Sequence, residues 1–329
     1  MGILDKISNI NGWVSQKSLY AILRNTLLLA PVFLAIIFGC QKLEYESNFK
    51  KSSEVKKEER LDAFIYEDDS LMRLDAYNIF NQLEGSFGLD SRAGNKRVIL
   101  LGNSPIKDYE WYQIQSYSSI KELYHDIENE DINHPFSNSI LKLYAGGKGK
   151  IDVKLRPFLS KILIRSICCD FAEKTYKEAR LEDVKIYLTN INARVYFTQE
   201  EFSHPVRFVN QGRLNDWTQS HNIHHIDKVC LYPEVELFCF PNTCAQEGVG
   251  TPFTRLVIEG NINGQTYYYP ININRNPGNG VERNQEYIYD ITITQAGTSH
   301  PDIPIEKDAI QVTLNIAKWK DKEEYEIPF

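Results

Sequence analysis

The stretch RLVIEGNINGQTYYYPINI, residues 255–273, decides the fold class. Two runs rich in β-branched and aromatic residues flank Asn263-Gly264. Asn-Gly accepts the positive φ values of a type I′ turn, whose twist matches that of two paired strands. Tyr267, Tyr269, Ile271 and Ile273 then share one face, because side chains alternate across a sheet. The same period returns at Tyr287, Tyr289, Ile291 and Ile293, and again at Ile310, Val312, Leu314 and Ile316 before Trp319.

Towards the N-terminus the period of two persists. Val184, Ile186 and Leu188 predict one strand, and Val195 with Phe197 and Val206 with Phe208 predict short ones. Ile151, Val153 and Leu155 alternate, and Ile162, Ile164 and Cys168 continue beyond Pro157, which implies an edge position or a bend there. LDAFIY and LMRLDAY flank the charged tip Glu67–Ser70, a predicted hairpin, and Val98 to Leu101 form a short apolar run. One segment breaks the rule. Ile120, Leu123, Tyr124 and Ile127 share a helical face, with Ser119 and Glu122 spaced as a capping box, so a helix is expected over residues 119–129. The whole reads as all-β, in β-sandwich domains with a few short helices.

The 329 residues suffice for two domains, and 42% hydrophobic content excludes global disorder. A formal net charge of -7 argues against nucleic acid as a partner, since such binding needs a basic face. Nineteen tyrosines and sixteen phenylalanines against two methionines fit pleated, half-buried surfaces.

The N-terminus reads as an export signal. Lys6, Lys17 and Arg24 precede LLLAPVFLAIIF, residues 27–38, an uncharged run of signal-peptide length, followed by Gly39 and Cys40. Ile37-Phe38-Gly39-Cys40 resembles a bacterial lipobox, which implies diacylglycerol on the Cys40 thiol. Residues 1–39 are then a lipoprotein signal peptide. Residues 40–60, crowded with charge, read as a tether or as a solvated helix. Ordered domains are expected over 61–165 and 166–329. Of the remaining cysteines, Cys168, Cys169, Cys230, Cys239 and Cys244, an odd number, most are expected as buried free thiols. A Cys239–Cys244 bridge is geometrically allowed.

No residue set for catalysis emerges, nor any cofactor or metal. His221, His224 and His225 lack a shared helical face and are expected in a surface loop. Gly146–Lys150 leads into a strand and so reads as a turn, not a phosphate cradle. Asp68-Asp69 and Glu58-Glu59 are sequence neighbours, which point apart on a strand. Tyr267-Tyr268-Tyr269 could stack on a sugar only if exposed together, whereas two of the three are expected in the core.

Several of these stretches together resemble one family. TPFTRLVIEGNINGQTYYYPININ (251–274), GVERNQEYIYDITITQAGTSHPDIPIE (280–306) and a last strand ending in Ala317-Lys318-Trp319 are similar to the C-terminal domain of Bacteroidales fimbrillins. LDAFIYEDDSLMRLDAY (61–77), ILLGNSP (99–105) and VKLRPFLSKILI (153–164) are similar to the first domain of fimbrial subunit and anchor proteins. The resemblance implies two tandem transthyretin-like β-sandwiches on a lipid-anchored, non-catalytic fimbrium (pilus) subunit or anchor of the cell outer membrane. It implies adhesion and assembly by β-strand addition, with other fimbrial subunits, the membrane lipid and a host or bacterial surface ligand as partners. It places proteolytic processing at Arg60. Tyr325, Ile327 and Phe329 alternate, as a donor strand would, although completing the native sheet is the favoured role. A surface glycan-binding lipoprotein using Tyr268 is the alternative reading.

The expected mature N-terminus is an acylated Cys40. Intact-mass measurement on membrane-extracted protein should find it, and Cys40→Ala should release the chain from the membrane fraction.

Overall fold

The computed structural model describes residues 59–328, apart from residues 84, 86, 106–107, 145–149, 172–175, 177–178, 216–218, 276–277, 306–308 and 320–324. The leader, Cys40 and most of the tether therefore lie outside the described residues, as does most of the Gly146–Lys150 turn.

LDAFIYE is a nearly continuous apolar run, the signature of a strand buried on both sides. It forms β1 (Leu61–Glu67) and lies between β2 (Leu74–Phe80) and β3 (Lys96–Gly102), antiparallel to both. The β1–β2 turn is set by Asp69, whose Oδ1 accepts from the N–H groups of Leu71 and Met72 at 2.9 and 2.8 Å. Lys96 Nζ, buried, bonds Glu67 and Asp75, each at 2.8 Å, and so ties all three strands. Burial alone would raise the Asp75 pKa, but Lys96 and Arg92 hold it below the usual carboxylate range.

The chain continues through the helix α1 (Tyr117–Lys121) to β4 (Tyr124–Asp126) and a single 3-10 turn, Ile127–Asn129. The long helix expected over 119–129 therefore stops after five residues. Ser116, not Ser119, caps it, accepting from the Ser119 N–H. The reason is tertiary. β4 pairs with β11 (Arg194–Tyr196), and the Arg194 guanidinium grips Asp126 at 2.7 and 2.8 Å. The apolar spacing is real, but Ile120 and Ile127 enter the core from a helix and a 3-10 turn separated by a strand.

β5 (Ser137–Leu143) and β7 (Arg156–Pro157) complete a five-stranded sheet of order β2-β1-β3-β5-β7, with β6 (Lys150–Val153) outside it. Pro157 sits on the edge strand, where its missing N–H costs no ladder bond. Two four-stranded sheets follow. One is ordered β13 (Ser220–Ile226), β9 (Leu181–Thr189), β15 (Arg255–Ile262), β16 (Gln265–Asn272). The other is ordered β14 (Val235–Cys239), β8 (Ser160–Cys169), β17 (Gln285–Ile293), β18 (Ile310–Lys318). Small bridges from β10 (Ile191–Asn192) to β12 (Phe208–Val209) close the corner after β9. The chain is all-β.

Apolar faces of both four-stranded sheets share one core, which continues to Phe64, Tyr66, Ile99 and Leu101 of the first sheet. Residues 165 and 166, the expected boundary between domains, lie inside β8. The passage between sheets falls earlier, at Phe158-Leu159, both fully buried.

Asn263 and Gly264 adopt φ of 52° and 82°, the type I′ turn expected between β15 and β16. Gly260 answers a different need. The β15–β9 register shifts between Glu259 and Asn261, and a Cβ at Gly260 would come 2.5 Å from Leu181 Cγ. Leu181 is itself buried, so it cannot swing away. Gly260→Ala should destabilise the fold by about 1–3 kcal/mol, the usual cost of overpacking, read as a lower urea midpoint at unchanged slope.

Candidate assembly surface

Three regions bear on whether the chain could join another: an apolar sheet face with a separate cover, the expected processing point at Arg60, and an unpaired sheet edge.

The first is the apolar face of the five-stranded sheet that points away from the main core. Leu61, Ala63, Ile65, Val98 and Leu100 project there. Leu83, Phe87 and Leu89 cover some of it, and Val153 and Leu155, in and just after β6, cover more. β6 is paired antiparallel to the C-terminal strand β19 (Tyr325–Pro328), with Tyr325 opposite Val153 and Ile327 opposite Ile151. The last described residues of the chain thus return to its first sheet region as one half of a two-stranded ribbon. Tyr325 and Ile327 lie in this strand, while Phe329 is outside the described residues.

The second is the start of β1. The Arg60 carbonyl accepts from the Asn103 N–H at 2.7 Å, and the Arg60 N–H donates to Asn103 Oδ1 at 3.3 Å. Its guanidinium donates to Asp62 at 2.7–3.1 Å and to the Tyr77 hydroxyl at 3.0 Å. Asp62 is buried completely, and Tyr77 donates to it at 2.6 Å. Burial, reinforced by the Asp62 carboxylate, raises the Tyr77 phenol well above its ordinary pKa. The bond after Arg60 is held at both ends.

The third is β18. It pairs with β17 along its whole length, and among the described residues no strand pairs with its outer edge. Ile310 on its inward face is buried, yet Val312 and Ile316 on the same face are 37% and 49% exposed. Sequence periodicity locates this strand but carries no signal that its inner face runs out beyond its cover.

The remaining marked residues fall elsewhere. His221, His224 and His225 lie in β13, an edge strand, not in a loop. Pairing with β9 outweighs the polar composition, because Ile223 and Ile226 enter the core. His221 Nε2 is 3.0 Å from the Glu236 carbonyl, and burial lowers its pKa. Among the described residues no group of three His, Cys, Asp or Glu could hold a metal ion. Tyr267 and Tyr269 face the core and Tyr268 the other side, so the three rings form no common platform. Cys168 bridges Cys230, a pairing of distant residues that spacing alone does not reveal. Cys169, Cys239 and Cys244 are buried free thiols, and burial pushes Cys169 up to about 12.

No family model matches the chain, and no curated protein matches it. Solved structures do. A candidate cell adhesion protein of Parabacteroides distasonis aligns over 80% of this chain and 94% of its own, at 12% identity and a TM-score of 0.56. Another from Bacteroides eggerthii aligns over 82% and 89%, at 13% identity and a TM-score of 0.53. A fimbrilin of Porphyromonas gingivalis aligns over 83% and 95%, at 12% identity and a TM-score of 0.53.

The clamp on Arg60 makes a kinetic prediction. In limited trypsin digestion of the native chain, the exposed Arg92 and Lys228 should be cut well before the 60–61 bond. Asp62→Asn should speed cleavage at that bond at least several-fold, followed by mass spectrometry of the new N-terminus. The described chain therefore has the fold of Bacteroidales fimbrillins and candidate cell adhesion proteins.

Proposed function

We propose that this chain is a non-catalytic subunit or anchor of a fimbrium, exported as a lipoprotein, held at the outer membrane through Cys40 and joined to its neighbours by β-strand addition. The observation that carries the reading is the β6–β19 ribbon. A terminal strand bound to the rest of the chain by backbone pairing is the element most readily exchanged between copies. Main-chain hydrogen bonds would supply affinity, and alternate side chains the fit. Because donor and acceptor surfaces differ, such exchange is head-to-tail and extends into a filament without closing.

Two further observations support the reading. The Cys168–Cys230 disulfide suits an oxidising compartment, where exported proteins reside. The Arg60 clamp favours a retained tether, hence an anchor position, over a subunit trimmed at Arg60. Two tandem sandwich domains are our reading of the architecture. The first would be built on the five-stranded sheet and the β6–β19 ribbon, and the second on the two four-stranded sheets.

Deletion of residues 320–329 should leave a folded chain that no longer forms multimers in light scattering or electron microscopy, while the full chain does. Added peptide spanning 320–329 should slow assembly of the full chain. A truncated chain that still polymerises, or a full chain that never associates with itself or with other fimbrial subunits, would overturn the reading.

A further inference from the structure

At the junction of the first sheet with the C-terminal sheets lies an open cavity of about 670 Å³. Arg156, Arg275 and Arg283 line it together. Elsewhere in the described residues, buried or half-buried arginines meet carboxylates. Arg194 holds Asp126, Arg207 holds Glu128, and Arg255 holds Glu247 and Asp302. None of the three cavity arginines forms an ion pair among the described residues.

Their present partners are neutral. Arg283 donates to the Pro157 carbonyl at 3.3 Å, to Asn138 Oδ1 at 2.9 Å and to the Arg156 carbonyl. Its guanidinium carbon lies 4.3 Å from the Phe158 ring centre. Arg275 donates to the carbonyls of Asn242 and Cys244 and stands 3.9 Å over the Phe253 ring. Its Nε–H, buried, has no acceptor among the described residues. The Arg156 side chain is exposed at the mouth. A guanidinium presents five N–H donors, and neutral acceptors leave several of these unused. Burial, then the neighbouring Arg156 charge, pushes Arg283 down to about 9 against the pull of Glu200, and burial lowers Arg275 against the pull of Glu247. Arg283 therefore stays cationic at neutral pH. A cation removed from water without a directly paired counter-charge is costly, and a carboxylate offsets that cost best through paired hydrogen bonds.

The rim has the opposite character. Glu200, Glu201 and Glu282 line the same cavity and are exposed. Ser203, Thr243 and Asn279 add hydroxyl and amide groups. A multiply charged anion would be repelled by this rim, and a neutral polyol would leave the arginines unmatched. A hydroxyl-rich ring with a single carboxylate satisfies both: the carboxylate goes to the arginines and the hydroxyls donate to the glutamates. The volume suits one or two such rings and falls in the range of small-molecule sites.

We propose that this junction cavity is a binding site for an acidic sugar, a saccharide ring bearing one carboxylate, recognised by Arg156, Arg275 and Arg283 within a glutamate rim. This goes beyond the assembly reading and involves none of its strands. As the recognition element of a surface protein, the site would read uronate- or sialate-type groups on a neighbouring glycan.

The test is a ligand-observed NMR titration of the full chain with glucuronic acid, N-acetylneuraminic acid, glucose and acetate. At least one acidic sugar should bind about tenfold or more tighter than both glucose and acetate, the size expected for a charge-assisted hydrogen-bonded contact. Arg156→Gln changes a side chain with no bond to the rest of the described fold, so the variant should fold and should weaken that binding about tenfold. Arg275→Gln, checked for folding by its urea midpoint, should do at least as much. The proposal is overturned if neither acidic sugar binds, if acetate binds as well as they do, or if Arg156→Gln and folded Arg275→Gln both leave the affinity unchanged. None of these results bears on multimer formation.

Discussion

The parallel pairing of β8 with β17 is the constraint on which the rest of the structure depends. β8 sits between β14 and β17, and its alternating Ile162 and Ile164 stand beside Tyr287 and Tyr289. All four are buried. The partners lie more than a hundred residues apart, so this pair forms only after a very long loop closes, and a topology of such distant contacts folds slowly. Once formed, it fixes both ends of the molecule. The N-terminal end of β8 adjoins Phe158, which stacks on Phe136 at 5.0 Å and so fastens the first sheet. Its C-terminal end carries Cys168, bridged to Cys230 in the segment after β13. The same junction places Arg283, just before β17, under the carbonyls of Arg156 and Pro157, so the cavity there is a by-product of how the sheets are joined.

Asparagine shapes both the turns and the buried polar sites. Asn103, Asn190, Asn210, Asn263, Asn274 and Asn284 all adopt positive φ. Asparagine tolerates that region better than other side-chain-bearing residues and can bond to nearby backbone. Asn190 Nδ2 donates to the Phe253 carbonyl at 3.1 Å, and Asn210 Nδ2 to the Leu188 carbonyl at 3.2 Å. Asn192 and Asn242, both fully buried, do the same for Pro241 and Pro252. These side chains satisfy carbonyls of β9 and of the loops flanking β14 and β15 that would otherwise be buried without a partner.

What was legible in the sequence follows from this division of labour. Long alternating runs with strong turns, residues 255–273 above all, place their strands directly, because local geometry and burial agree there. The period of two also located β8, β9, β17 and β18, and the apolar run LDAFIY located β1. The 119–129 segment misled because its apolar spacing fits a helix, yet contact with β11 decides its backbone. The histidine segment misled in the opposite way, since two isoleucines at core positions outweigh five polar neighbours. The Cys168–Cys230 bridge and the arginine cavity were invisible for a common reason. Each assembles residues from far-separated stretches of the chain, and no local pattern records that they meet.

The sheet edges differ in how they are protected, and that asymmetry bears on where a partner strand could add. An unprotected edge invites pairing with another chain. On β16, Tyr268 exchanges backbone bonds with Thr298 at 2.8 and 2.9 Å, so the loop after β17 occupies that edge. The edge strand β13 carries His224 and Asn222 outward. The edge of β18 has neither device along its inward face, where Val312 and Ile316 are exposed beside buried Ile310. A strand added here would extend the sheet and cover that apolar strip, whereas one exchanged at β6 would replace a native neighbour. The first kind of contact gains new buried area and the second mainly swaps equivalent bonds. On the proposed assembly reading, addition at β18 would therefore contribute net stability, while exchange at β6 would supply the directionality of the contact.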